Sequence, residues 1–210
     1  WNAHGIWLAG SSMTAISYSS AVTNINGSWA LWLNAADSNT VTGSYLANPA
    51  GEGVNLDAGA DDNAINQSAA ASLNIALTLT NSHRNRVTGS FIQSSSGHGA
   101  ILATADYTSV SQSTIIVSSN GKFALWLTTS DSGTVTGSYL QSLGGYGVVL
   151  QSGADYNTVK LSTMVSNDIA YGALIVSVNS TRNLVADSSL SNPAGHGVLL
   201  DSGADYNSII

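Results

Sequence analysis

Cysteine is absent from these 210 residues, and proline occurs only twice. No disulfide and no thiolate metal site can form, so stability and any ligand site rest on other side chains. Charge is also scarce. Charged residues make up 8% of the chain, and 12 acidic residues against 5 basic ones give a net charge of -7. That balance argues against a nucleic-acid partner and leaves no basic patch for an anionic membrane. No apolar run is long enough to insert in a membrane. No segment reads as a signal peptide, and a targeting sequence, if the protein has one, is expected upstream or already removed. Missing too is any sustained apolar stripe at i, i+3, i+4, which removes the helical alternatives.

What is present is a repeat. A valine or isoleucine followed three residues later by serine recurs at Ile16/Ser19, Val41/Ser44, Ile65/Ser68, Val87/Ser90, Val110/Ser113, Val135/Ser138, Val159/Ser162 and Val185/Ser188. Successive copies lie 22 to 26 residues apart, and a ninth is interrupted after Ile209. A period of this size without helical patterning marks a solenoid of short strands. Each copy also carries an apolar pair spaced by two, as in Leu31/Leu33, Leu77/Leu79 and Leu125/Leu127, which is the strand signature. Another apolar residue, such as Leu46, Ile92 or Leu140, follows the valine column by five positions. Each rung therefore holds several strands separated by bends. Asn39, Asn63, Asn85, Asn157 and Asn183 mark one bend, where Asn, or Gly133 in its place, suits a left-handed backbone. Two residues earlier stand Asp37, Asp61, Asp106, Asp131 and Asp155, placed to accept a backbone N–H two residues on in an Asx-type turn.

At these residues, and most clearly in the G-V-x-L…S-G-A-D-Y-N-x-V stretch from Gly147 to Val159, the chain resembles the right-handed parallel β-helices of the pectate-lyase-like superfamily. The resemblance covers the whole chain. It implies an all-β, right-handed parallel β-helix solenoid of about nine rungs. The fold hosts lyases, hydrolases, adhesins and passive stalks, so it does not fix an activity.

A longer period lies above the short one. His4-Gly-Ile-Trp-Leu matches His98-Gly-Ala-Ile-Leu, and Ala30-Leu-Trp-Leu matches Ala124-Leu-Trp-Leu, both 94 positions later. Four rungs thus form a super-repeat. Residues 1–210 are expected to be one β-helix domain, a fragment of a longer array, because neither end carries a recognisable cap.

The candidate site is an outward column beside the core leucines. It contains Trp7, Trp32, Ile101, Trp126, Val149, Leu174 and Leu199, with Asn55 and Thr78 between. Two residues earlier the column is only Gly or Ala, read as a shallow trough beside an apolar ridge. A contiguous apolar stripe marks an interface. The expected partner is another copy, or another part of the same long protein, with glycan stacking on the tryptophans as the alternative. A neighbouring column, from His4 and Trp29 through His98 and Phe123 to Tyr146 and Tyr171, reads as a stacking ladder.

Gly97-His98-Gly99 and Gly195-His196-Gly197 look like the G-H-G motif of polygalacturonase-type glycosidases, and Asp61-Asp62 looks like their paired aspartates. The aspartates follow their strand instead of preceding it, the family's N-T-D and R-x-K motifs are absent, and G-H-G recurs at the super-repeat interval. No catalytic residue is assigned, and the chain is read as not an enzyme. Histidines several rungs apart give no zinc site. Calcium at the Asp corner is weighed as the alternative to turn capping. No metal or cofactor is assigned. The serine column carries no base at a fixed offset, so it is read as packing, with its hydroxyl bonding backbone or the next serine. The function expected is that of a structural or adhesive segment of an extracellular or cell-surface protein, with a carbohydrate-binding or polysaccharide-cleaving module as the alternative.

Overall fold

The computed structural model describes residues 3–210. It is a right-handed parallel β-helix with three sheets and no helix among the described residues. The first sheet has nine strands, from Ile6–Ala9 to His196–Leu200. The second has nine, from Ala15–Ser17 to Ser208–Ile209, and the third has eight, from Ser20–Val22 to Ser189–Ser191. Each strand pairs only with its counterparts one rung above and below. Ile6 lies over Leu31, Leu31 over Val54, and Val54 over Leu77.

That register turns each sequence column into a physical stack. Leu31, Leu33, Leu77, Leu79, Leu125 and Leu127 point inward from the first sheet and are at most 1% exposed. The valine column closes the core from the second sheet, and Leu46, Ile92, Ile115 and Leu140 close it from the third. Burial of a leucine-sized side chain stabilises by about 1.5–3 kcal/mol, so this column is the main source of cohesion.

Polar columns stack by hydrogen bonding. The Ser44 N–H donates to the Ser68 hydroxyl, Ser68 to Ser90, Ser90 to Ser113, and Ser113 to Ser138, each at 3.2 Å. Each of these hydroxyls in turn donates to the carbonyl two residues before it, as Ser113 does to Ser111 at 2.9 Å. Buried asparagines form a second ladder: the Asn39 N–H donates to Asn63 Oδ1, and the Asn63 N–H to Asn85 Oδ1, both at 2.8 Å. It is interrupted at Thr108 and Gly133 and resumes at Asn157.

Four details differ from the sequence reading. The left-handed residue at the first bend is not the asparagine but the residue before it. Ser38, Asp62, Arg84, Tyr107, Ser132, Tyr156 and Arg182 have φ between 55° and 59°. The asparagine is retained for its ladder, not for its backbone. The aspartates do not close Asx turns. They accept the N–H of the next rung, Asp131 from Asp155 at 2.8 Å and Asp106 from Asp131 at 2.9 Å. His83 fits this column because its Nδ1 accepts from the Asp106 N–H.

The Gly and Ala column is not a surface trough either. Ala30, Ala76 and Ala124 are 0% exposed, and a Cβ at Gly99 would overlap the Ile115 side chain and the Ala124 carbonyl. The chain turns inward there, toward the third sheet, and only small residues fit. Finally, Leu174 does not belong to the outward column. It lies beside Val148 in the core, 0% exposed, while Ile175 takes the outward place beside Val149. The slip sets the larger Leu174, not Ala173, in the core register, and a one-residue shift exchanges the faces of a strand.

Ser113→Ala removes the acceptor of the buried Ser90 N–H. We expect it to lower stability by about 1–3 kcal/mol, measured by chemical denaturation. An unchanged midpoint would show that the serine ladder does not hold the rungs.

Candidate functional site

The outer face of the first sheet collects the aromatic residues of two sequence columns into two patches. The rings of Trp7 and Trp32 stack at 5.2 Å with a 10° interplanar angle, and His4 meets Trp32 edge-on at 4.7 Å. Four rungs on, His98 lies 4.8 Å from Phe123 and 5.3 Å from Trp126. The patch continues from Phe123 to Tyr146 at 5.5 Å and from Tyr146 to Tyr171 at 5.1 Å. Parallel in-register strands dictate this arrangement, since one strand's side chain meets the next rung's at about 4.8 Å. Offset or edge-to-face pairs add about 0.5–1.5 kcal/mol each.

Between the patches the face is polar. The Trp32 Nε1–H donates to Asp57 Oδ1 at 2.9 Å, and Asn34 Nδ2 donates to the same oxygen at 2.7 Å. Asn55 Nδ2 donates to Asp57 Oδ2 at 2.9 Å. At the other end of the same strand, Glu52 Oε1 accepts from Asn74 Nδ2 at 3.3 Å, while Glu52 Oε2 is buried without a protein partner. Trp126 Nε1 is likewise buried and unpartnered. Glu52 and Asp57 are five residues apart on one strand, about 16 Å. That exceeds the carboxylate separation of an acid–base glycosidase pair.

The expected stripe is thus only partly present. Trp7 is 56% exposed, but Val149 is 1% exposed, and Leu174 is inside. Trp32, Ile101, Trp126 and Leu199 are half-buried. The sequence reading counts Asp57 only among the carboxylates weighed for calcium and Glu52 only as a member of the aromatic-rich column, and joins neither to this site. The available signal was their uniqueness: the super-repeat partners of Glu52 and Asp57 are Tyr146 and Gln151.

The histidines serve the ladder. His4 Nδ1 accepts the Trp29 N–H and His98 Nδ1 the Phe123 N–H, both at 3.0 Å. Burial, with Lys122 adding to it, pushes the His98 imidazole down to about 4, and burial lowers His4 as well. Burial, with Tyr171 and Asp201 nearby, raises the Tyr146 hydroxyl. The aspartates of the G-H-G comparison lie elsewhere: Arg84 holds Asp61 at 3.0 Å and Asp62 at 2.9 Å at an exposed corner. The hydrogen bonds from Arg84 depress the Asp62 carboxyl.

A family model described as periplasmic copper-binding protein (NosD) matches residues 2–173. No curated protein matches the sequence. Among solved structures, the A-module of the mannuronan C-5 epimerase AlgE6 from Azotobacter vinelandii has a TM-score of 0.77 at 11% identity, covering 92% of this chain and 56% of the module. Pectate lyase Pel9A has a TM-score of 0.60 at 12% identity, covering 92% of this chain and 68% of the lyase. The chain therefore spans little more than half the length of the epimerase module. At such identities the likeness is one of fold.

These neighbours correct one expectation. The sequence reading of the chain as not an enzyme rests on its departures from the glycosidase motifs and on the recurrence of G-H-G at the super-repeat interval. The structures that share its fold include enzymes acting on polysaccharides, and the polar part of its own first-sheet face occurs once, not twice.

Copper fits the described residues poorly. Cysteine is absent, Met164 is 0% exposed in the core, and Met13 stands at a corner. The side chains of His4 and His98 are four rungs apart, and no three His, Asp or Glu side chains converge among the described residues. Copper prefers thiolate, thioether and imidazole ligands gathered at one point.

The His98 shift has a measurable sign. The unfolded imidazole titrates near its ordinary value, about 6.5, so between there and about 4 the unfolded chain binds more protons than the folded one. Stability present above that window falls as the pH drops through it. His98→Gln is expected to flatten the decline in melting temperature between pH 7 and 4.5. An identical slope in the variant would mean that His98 is not held neutral.

Proposed function

The chain belongs to the NosD family of periplasmic copper-binding proteins, and we propose that this member works outside the cytoplasm as a carbohydrate-directed β-helix. The location we infer is the periplasm or the cell surface. The supporting observation is the first-sheet face. Two aromatic patches flank a carboxylate–amide cluster, and the cluster anchors the Trp32 indole through Asp57. Aromatic faces stack on the C–H faces of sugar rings, and the Asn34 amide and Asp57 carboxylate beside them are of the kind that hydrogen-bonds sugar hydroxyls. The fold neighbours act on mannuronan and, in the lyase, pectate, which makes polysaccharides the first class to try.

Association with another copy, or with another part of a longer protein, is the second reading. The stacked pair of Trp7 and Trp32, an apolar patch on the outer face, favours it.

The deciding experiment titrates purified protein against neutral and uronate polysaccharides by calorimetry and follows each polymer by NMR for cleavage or epimerisation. Trp7→Ala/Trp32→Ala/Trp126→Ala is expected to weaken binding about tenfold or more, given roughly 0.5–1.5 kcal/mol per aromatic contact. Absence of binding to every polymer, together with a concentration-dependent mass lost in the variant, would replace this reading with self-association.

A further inference from the structure

The outer face of the third sheet carries an arrangement that the first-sheet reading does not use. Its first outward column is Tyr45, Ala69, Phe91, Thr114, Tyr139 and Thr163 on successive rungs, as the strand register shows. From Tyr45 to Tyr139 aromatic residues thus occupy every second rung, with small residues between, and the column begins at Ser20 and ends at Ser189. Tyr45 is 49% exposed, Phe91 42% and Tyr139 37%, so the three rings stand on the surface instead of stacking on one another. Their spacing is two rungs, about 9.6 Å at the usual inter-strand distance.

Beside two of the rings stands an amide. Gln93 follows Phe91 and Gln141 follows Tyr139 on the same outward face, and neither side chain makes a hydrogen bond among the described residues. Between Tyr45 and Gln93 a cavity of about 200 Å³ opens, floored by Ala47 and Ala71 and walled by Pro49 and Leu73. No strand of the third sheet contains a charged residue, in a chain whose net charge is -7.

We propose that this face is a binding track for an extended, uncharged β-1,4-linked polysaccharide lying along the helix axis. In such a chain successive sugars are flipped, so the same face recurs at every second unit. That repeat is close to the two-rung spacing of Tyr45, Phe91 and Tyr139. Each ring stacks on alternate sugars, the alanines and threonines leave room for the units between, and Gln93 and Gln141 supply donors and acceptors to the hydroxyls. The uncharged surface matches an uncharged polymer and gives no purchase to a polyanion. The track is separate from the first-sheet face and does not depend on it.

The test is a depletion assay of the full chain on microcrystalline cellulose and on chitin, with a β-1,3-linked glucan as comparison. Binding to at least one β-1,4-linked polymer is expected, with little to the comparison polymer. Tyr45→Ala/Phe91→Ala/Tyr139→Ala should lower the bound fraction at least about tenfold, whereas Tyr107→Ala, an exposed aromatic at a corner outside both faces, should not. A second variant, Ala69→Phe/Phe91→Ala, keeps the number of rings and breaks their period. It should bind nearly as weakly as the triple variant. Circular dichroism and melting curves are expected to match wild type, since all these side chains point outward.

Wild-type binding that survives the triple variant, or that the period-breaking variant retains, would overturn the proposal. So would a failure to bind either β-1,4-linked polymer. A dimer abolished by the triple variant would assign the face to a second copy of this chain. Loss of binding only in Trp7→Ala/Trp32→Ala/Trp126→Ala would leave the first-sheet reading intact and remove this one.

Discussion

Everything in this molecule depends on the in-register stacking of one rung on the next. A parallel strand places each residue about 4.8 Å from its counterpart, so a favourable choice at one position is repeated along the axis and an unfavourable one is repeated too. The serine and asparagine ladders show the favourable case. Along most of each ladder the side chain receives the N–H of the neighbouring rung, while Asn63 Nδ2 and the Thr108 hydroxyl are buried without a partner among the described residues. This also explains how the chain tolerates side chains at left-handed corners, including Tyr107, Tyr156 and Leu161. The hydrogen bonds on either side of each corner fix a backbone that an isolated residue would avoid.

The same constraint accounts for the low charge. Like charges stacked at rung spacing repel, and the chain meets the problem by having few of them. Where aspartates do stack, each has an oxygen occupied by a backbone N–H of the next rung. At Asp131 burial, with Asp106 and Asp155 on either side, still raises the carboxyl. Arg84 relieves the one place where two aspartates adjoin.

Stacking also makes each face a one-dimensional pattern, and function is read from departures in that pattern. On the first sheet, Glu52 interrupts the aromatic column of Trp29, and Asn55 and Thr78 interrupt that of Trp32, with Asp57 beside them in a polar column. On the third, the departure is a period of two within a period of one. Four-rung duplication repeats the core and the ladders faithfully. It repeats these surfaces only in part, Tyr45 recurring as Tyr139 while Glu52 and Asp57 give way to Tyr146 and Gln151, because outward side chains are free of the packing that fixes inward ones.

Period, strand class and core columns were legible in the sequence, since burial demands an apolar residue at the same place in every rung. The ladder of His98, Phe123, Tyr146 and Tyr171 was legible for the same reason: residues on successive rungs of one column must touch. Other features were decided only by the tertiary structure. The Gly and Ala column faces inward because the chain turns toward Ile115, a residue of another sheet. Leu174 and Ile175 exchange faces because core volume outweighs the nominal repeat length. Asp57 meets the Trp32 indole from a different rung, 25 residues away in sequence. A sequence column records which residues share a position along the axis. Which way that position faces, and what lies across the bend, depends on backbone curvature, and the repeat does not encode it.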